Sequence, residues 1–362
     1  MKIIVSACLL GRDCKYNGGN NRAPAVADFL ADFGAEAVPL CPETAGALPV
    51  PRPPAEQRGD RVCTADGLDL TAAYERGAAA CLREALECDP VLAILQPRSP
   101  SCGCREVYDG SFTRRLIPGS GRFAAALRVA GIPAVDADRL TEARQLLLKR
   151  GLLPRSLTEG AAAVFAGDSS GHDFAHTLRV LRTARRLAAQ EGADPEIVSL
   201  AALLHDVDDA KLPGSDPEHL PRARALMAAQ EIPEAVQAAV CRAVRQVSFK
   251  GTDSVTPDTP EGKVVQDADR LDAIGAVGIA RAFAFGGSRG RSLYDPLDPP
   301  RTGLDAESYR RGTGSTINHF YEKLLLLKDM MNTPSARALA EKRHRYMEEF
   351  LAEFDREWNG EA

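Results

Sequence analysis

The chain has 362 residues, 44% of them hydrophobic and 26% charged, with a net charge of −5. That length exceeds what one ordinary core organises, so two domains of a soluble globular protein are expected. The acidic balance gives no bulk attraction to polymeric nucleic acid or to an anionic membrane, and no run is long and apolar enough to span a bilayer.

Residues 1–138 alternate strand-like and helix-like patterns. Ile3-Ile4-Val5 reads as a first strand, followed by a polar loop from Gly11 to Asn21. Pro24 suits the first turn of an amphipathic helix over Ala25 to Phe33. Ala37 to Leu40 is a second strand, and a Pro-rich connection runs from Pro49 to Pro54. Thr71 to Glu87 reads as a helix with apolar Ala72, Ala79, Leu82 and Leu86. Val91 to Leu95, a helix over Phe123 to Ala130 and a last strand, Ile132 to Val135, complete a βαβ series. That grammar predicts an α/β, Rossmann-like fold. From Leu140 onward the pattern is helical, with strong helix starts at Asp194-Pro195-Glu196 and Thr259-Pro260-Glu261. Arg150 to Ser170 reads as a connector, which places an α/β domain at 1–145 and an all-α domain at 165–362.

Cys8, Cys41 and Cys102 each follow one of the apolar strand runs. In an open parallel sheet the carboxyl ends of strands share one edge, where ligands bind. Three thiolates meeting there would leave one position open on a metal or iron–sulfur group. Of the nine cysteines, Cys63, Cys81, Cys88 and Cys241 read as small core residues. Cys14 and Cys104 are each able to supply a fourth ligand, and zinc competes with iron–sulfur for thiolates. The start of the chain carries no signal-peptide pattern, so the cysteine usage points to the reducing cytoplasm.

The strings Ser6-Ala7-Cys8-Leu9-Leu10-Gly11, Cys41-Pro42-Glu43, Pro51-Arg52-Pro53-Pro54-Ala55-Glu56, Ser99-Pro100-Ser101-Cys102-Gly103 and Tyr108-Asp109-Gly110-Ser111-Phe112 together resemble the 2-thiouracil desulfidase family. The resemblance implies a [4Fe-4S] cluster held by Cys8, Cys41 and Cys102, with one iron open to a thiocarbonyl sulfur. It also implies Glu43 as the carboxylate that moves protons and activates water, and Ser99 as a hydrogen-bonding group for the heterocycle.

The second half carries His176, the pair His205-Asp206 and a later acidic run, Asp267-Ala268-Asp269. Imidazole and carboxylate from separate helices can converge in a bundle core and suit Mn²⁺, Mg²⁺, Fe²⁺, Co²⁺ or Zn²⁺. Burying the His-Asp pair without a metal would be costly. This ordered set resembles the HD-domain metal phosphohydrolases. Asp267 to Gly275 and Ile317 to Leu324 resemble the subgroup that includes nucleoside triphosphate pyrophosphohydrolases. The resemblance implies His176, His205, Asp206 and Asp269 as ligands, with Asp267 the alternative for the last. Lys211, and the loop Gly286 to Arg291, are candidates to neutralise phosphate; a solvated loop is the competing reading of the latter. His172 is expected to support the ligands, and His219 and His344 to lie on the surface.

The expectation is a bifunctional cytoplasmic enzyme acting on a thiolated base or nucleoside and on nucleotides, all small molecules, with a homo-oligomer compatible. The alternative is a cluster-bearing sensing module that regulates an HD nucleotidase or phosphodiesterase.

Overall fold

Ile3, Ile4 and Val5 lie fully buried in a four-stranded sheet. The computed structural model describes residues 1–166, 174–210, 212–247, 254–301 and 314–361. Two compact units emerge, Met1–Leu148 and Lys149–Ala362.

The strands of the first unit are β1 (Lys2–Ser6), β2 (Glu36–Leu40), β3 (Ala55–Arg58), β4 (Arg61–Thr64), β5 (Leu92–Leu95), β6 (Glu106–Tyr108), β7 (Leu116–Pro118) and β8 (Ala134–Asp136). The central sheet runs β2-β1-β5-β8, parallel throughout. Its middle strands are continuous apolar runs because both faces are covered, and each fully buried Val, Leu or Ile adds roughly 1.5–3 kcal/mol. The α/β expectation is met. Two antiparallel hairpins, β3-β4 and β6-β7, are additions that the βαβ pattern does not announce.

Helices α1 (Pro24–Asp32), α2 (Pro42–Ala45), α3 (Thr71–Cys88), α4 (Arg122–Val129) and α5 (Leu140–Leu148) complete this unit. The buried face of α3 is Tyr74, Gly77, Ala78, Cys81 and Ala85, with Leu82 partly buried against the same core; Ala72 and Ala79 face outward and Leu86 is 57% exposed. The reason is close packing. A Cβ on Gly77 would lie 1.8 Å from the Pro42 carbonyl oxygen, so only glycine lets α3 approach α2.

The second unit is helical: α6 (Arg155–Val164), α7 (Phe174–Glu191), α8 (Pro195–Leu204), α9 (Pro221–Ala229), α10 (Glu234–Arg245), α11 (Pro260–Asp272), α12 (Gly275–Ser288), α13 (Thr316–Glu322) and α14 (Pro334–Asn359). Asp194 and Thr259 cap α8 and α11 through their side-chain oxygens, as their sequence signatures predict. The stretch read as a connector instead contains α6, whose Leu157 and Ala161, four residues apart, are buried. The loop expected at Gly286 to Arg291 begins as the last turn of α12, with Gly286 packed against Thr316. Among the described residues no helix is long and apolar enough to cross a membrane.

Candidate functional site

In the first unit the strand register puts Ser6 beside Leu40 and Val5 beside Ile94. The chain leaves β1 through a 3₁₀ turn, Ala7–Leu10, closed by Gly11 at φ +89°, so Cys8 sits just past the sheet edge. Cys41 directly follows β2, at the head of α2. Cys102 follows β5 in a tight loop. There a Cβ on Gly121 would lie 2.3 Å from the Ser101 carbonyl carbon, so the loop packs directly on backbone. All nine cysteines are free thiols.

The three thiols sense one another. Burial, then the charges of Cys41 and Glu43, pushes Cys8 up to about 11. Burial also raises Cys102 well above the usual thiol range, with a Ser6 hydrogen bond opposing and Glu43, Cys41 and Cys8 adding to it. Cys14 joins them: burial, then the neighbouring Cys41 thiol, push it up to about 12. Cys104 does not join. Its amide donates to Asp136 Oδ1 at 2.9 Å, and its thiol faces that carboxylate.

Glu43 is anchored at this edge. Arg52 Nε donates to its Oε2 at 2.9 Å, and Arg52 Nη2 reaches the same oxygen. Ser101 Oγ donates to Oε1 at 2.5 Å, and the Tyr74 phenol lies against the carboxylate. Arg52 Nη2 also donates to the Cys14 carbonyl at 3.0 Å, tying that loop to the site. Ser99 has a structural part at this edge. Its hydroxyl oxygen accepts from the amides of Ser101 and Cys102, both at 3.2 Å, and shapes the Cys102 loop. Arg52, Ser101 and Tyr74 were missed. Arg52 and Ser101 stand inside the quoted strings, but contact with Glu43 is visible only in three dimensions.

A single zinc ion would hold its sulfurs about 3.8 Å apart, given Zn–S bonds of ~2.3 Å in a tetrahedron. Cys8, Cys41 and Cys102 do not meet that condition: among the described residues only His176, His205 and Asp206 bring three ligand atoms within 4.8 Å of one another. Mutually coupled but more widely spaced thiols fit a cluster better than one ion.

In the second unit α7 presents His176, the end of α8 presents His205 and Asp206, and α11 presents Asp269. His176 Nε2 lies 3.3 Å from Asp269 Oδ1 and 3.5 Å from Asp206 Oδ2. His205 Nε2 lies 3.2 Å from Asp206 Oδ2 and 4.0 Å from Asp269 Oδ1. The tautomers follow from the other ring nitrogens. His176 Nδ1 donates to Asp272 Oδ2 at 2.7 Å, and His205 Nδ1 donates to the Ala202 carbonyl at 2.9 Å. Both Nε2 atoms then carry lone pairs toward two carboxylates, and His205 Nε2 is buried with no aligned hydrogen bond. Four acceptors facing one another call for a cation, so the donor set fits a divalent metal. Without one, burial lowers both rings, but the acids win. Asp206 and Asp269 draw His205 up to about 9, and Asp269 and Asp272 raise His176.

Asp267 is otherwise engaged: its oxygens accept from the amides of Asn332 and Thr333, the Asn332 side chain and the Thr333 hydroxyl. It fixes the start of α14, and of the two acids flanking Ala268 only Asp269 faces the histidines. Asp272 was missed as a site residue, although its spacing of three from Asp269 puts both on one helix face. It binds Arg179 (2.8 and 3.0 Å) and Arg281 (2.6 Å) as well as His176. Lys211 and His172 lie outside the described residues. Lys323 was also missed; it is half-buried within electrostatic reach of Asp269, and burial, with Arg281 and Arg270, lowers it to about 8. His319, one turn earlier, is driven down to about 3 by burial, Lys323 and Arg291. Arg289 and Arg291 stack over Phe285. His219 is exposed as expected, whereas His344 is largely covered and pairs with Glu348.

Comparison with known families matches 2-thiouracil desulfurase over residues 3–139 and the HD domain over residues 173–274. The chain is a fusion of these two families. It is accordingly an enzyme carrying a hydrolase-type HD domain and a desulfurase domain. Bacillus subtilis YpgQ, an uncharacterized protein, is 40% identical over 200 residues, 55% of this chain and 90% of YpgQ. YpgQ has been crystallised with ADP (37% identity, 57% of this chain and all of that one, TM-score 0.45). A Lactobacillus plantarum structure is 42% identical, covering 56% of this chain and 95% of that one, with a TM-score of 0.51. The [4Fe-4S]-dependent thiouracil desulfidase TudS is 43% identical, covering 40% of this chain and 97% of TudS, with a TM-score of 0.38.

Proposed function

We propose that the fusion is bifunctional. The first unit removes sulfur from a thiolated nucleobase or nucleoside, and the second hydrolyses a nucleoside triphosphate to monophosphate and pyrophosphate. Convergence of Cys8, Cys41 and Cys102 beside an anchored Glu43 carries the first half. The four facing acceptor atoms of His176, His205, Asp206 and Asp269 carry the second.

Cys8, Cys41 and Cys102 would hold a [4Fe-4S] cluster, whose open iron supplies Lewis-acid polarisation of a C=S bond and an acceptor for sulfide. Glu43 takes a proton from water for attack at the carbon and returns it to the ring nitrogen. Arg52 and Ser101 keep that carboxylate aimed, each by a direct hydrogen bond. Ser99, by holding the Cys102 loop, positions a ligand and offers its hydroxyl to the heterocycle.

In the second unit His176, His205, Asp206 and Asp269 would hold Mn²⁺ or Mg²⁺, which lowers the pKa of a water for attack at phosphorus. Lys323 and Arg291 balance phosphate charge, with Lys211 as a further candidate. Sequence likeness to YpgQ, which binds ADP in its crystal, supports a nucleotide as substrate. Nine free thiols support a reducing, cytoplasmic setting. Each unit is taken to act alone, and any separating cut belongs before α6, near Lys149, to keep that helix intact.

The Cys14–Cys41 contact supports a second reading, in which a fourth thiolate closes the cluster and the first unit senses rather than catalyses. Anaerobically purified full-length protein separates the two. Sulfide release from 2-thiouracil that falls by about two orders of magnitude in Glu43→Gln, with iron retained, is the expected result. Asp206→Ala should abolish pyrophosphate release from nucleoside triphosphates and spare sulfide release. Iron-loaded protein inert toward every thiopyrimidine would leave the sensing reading, and orthophosphate as product would make the HD unit a nucleotidase.

A further inference from the structure

Behind the His/Asp site, on the far side of Asp272, α7, the start of α12 and α14 enclose an open cleft of about 480 Å³. Arg179 and Arg182 reach it from α7, and Lys342, Arg343 and Tyr346 from α14. Asp272 is the single acid on its wall, against four cationic side chains. Arg182 and Lys342 are exposed and form no ion pair among the described residues. The wall is completed by the first residues of α12. That helix starts with no side-chain cap and no acid in its first turn, and a Cβ on its Gly275 would lie 3.0 Å from the Arg343 stem. Uncapped amides at a helix start add to the positive field that the side chains create. Tyr346 is 52% exposed and offers an aromatic face beside these cations.

We propose that this cleft is a second anion site, for the polyphosphate of a nucleotide, distinct from the metal site. Arg179 is held by Asp272 and Arg343 donates to the Leu271 carbonyl, but among the described residues no such partner accounts for Arg182 and Lys342, and four cations against one acid repel one another unless an anion joins them. The volume is that of a small-molecule site and exceeds the needs of one phosphate. Polyphosphate would lie against Arg182, Lys342, Arg343 and the start of α12, with the base on Tyr346. The cleft is also coupled to the metal site. Arg179 lines it and holds Asp272 through two hydrogen bonds, and Asp272 orients His176. An anion that draws Arg179 away loosens Asp272, so occupancy of the cleft and metal affinity are linked reciprocally.

This site rests on the metal reading only for its linkage, not for binding. The test is calorimetric titration of the full-length protein with pyrophosphate and with ATP, in chelator, so that no divalent ion recruits phosphate to the histidines. Wild type and Asp206→Ala should both bind. Arg182→Glu with Lys342→Glu should weaken both ligands by at least about tenfold, as for loss of charged hydrogen bonds. Both replaced side chains are exposed, and an unchanged melting curve establishes that the variant is folded. Tyr346→Ala should weaken ATP but not pyrophosphate; no weakening of either would leave inorganic polyphosphate as the ligand class and overturn the nucleotide. Binding unchanged in the double charge reversal, or lost in Asp206→Ala, overturns the site itself. If nucleotide hydrolysis is never found yet cleft binding persists, the catalytic reading fails and this one stands.

Discussion

Asp272→Asn keeps the side chain's shape and removes one buried charge, so its effect isolates what that charge does for His176. The carboxylate accepts from His176 at 2.7 Å, Arg179 at 2.8 Å and Arg281 at 2.6 Å. Removing one partner of a fully buried ion pair costs about 3–5 kcal/mol. Here the arginine side chains are 30% and 25% exposed, so water screens part of the interaction and about 2 kcal/mol is the better expectation. For a unit of this size that lowers the melting temperature of the metal-free protein by about 4–8 °C. Metal affinity should fall about 10–100-fold, because the ring loses the group that fixes its tautomer. Burial alone would raise the Asp272 carboxyl, but His176 and Arg179 hold it well below the usual carboxylate range. A lowered folded-state pKa stabilises above the unfolded value of ~3.9, and that stability disappears as pH falls through the folded value. The gap between wild type and Asp272→Asn should therefore be full above about pH 5 and close toward pH 2. Differential scanning calorimetry and Mn²⁺ titration measure both quantities. A variant with unchanged melting temperature and unchanged Mn²⁺ affinity would refute the argument.

Two further outcomes are expected. In the metal-free protein the raised pKa of His205, about 9, and of His176 stabilises fully below about pH 6.5 and is lost as pH rises through the folded values. Mn²⁺ binding at pH 7 must displace those protons, so affinity should rise from pH 7 to 9 and the binding heat should depend on the buffer's ionisation enthalpy; buffer-independent heat would count against it. Replacing Cys8, Cys41 or Cys102 by Ser should cost iron after anaerobic reconstitution, whereas Cys104→Ser, whose thiol faces Asp136, should retain it. Cys14→Ser should also keep about four irons per chain under the open-site reading, and full loss there would favour the closed, sensing cluster.

The strands that carry cysteines were legible because burial on both faces leaves a continuous apolar run, and the helix starts because their caps are local chemistry. Cys8, Cys41 and Cys102 could be brought together from one rule about parallel sheet edges. What escaped depends on contacts between distant segments. The packing face of α3 is set by Gly77 against Pro42, so Gly77, Ala78, Cys81 and Ala85 point inward while Leu86 does not. Asp267 and Asp269 flank the same Ala268, and only the Asn332-Thr333 loop separates a structural carboxylate from the one that faces the histidines. Ser99 and Ser101 differ likewise by which one reaches Glu43.

The order of the sheet has a temporal consequence. β1 pairs with β2 and, through Ile3 opposite Leu92, with a strand from much later in the chain. Parallel pairings over such separations form slowly, after loop-closure entropy has been met. The cysteine triad therefore does not exist in the nascent chain; it is a product of completed topology. Iron offered too early meets nine scattered thiols and can be chelated in wrong combinations. If the cysteines hold a cluster as proposed, iron offered late would meet one assembled edge and stabilise the folded state by mass action. Maturation of this enzyme should thus depend on timing as much as on supply, with refolding in the presence of iron giving less correctly loaded protein than loading after refolding.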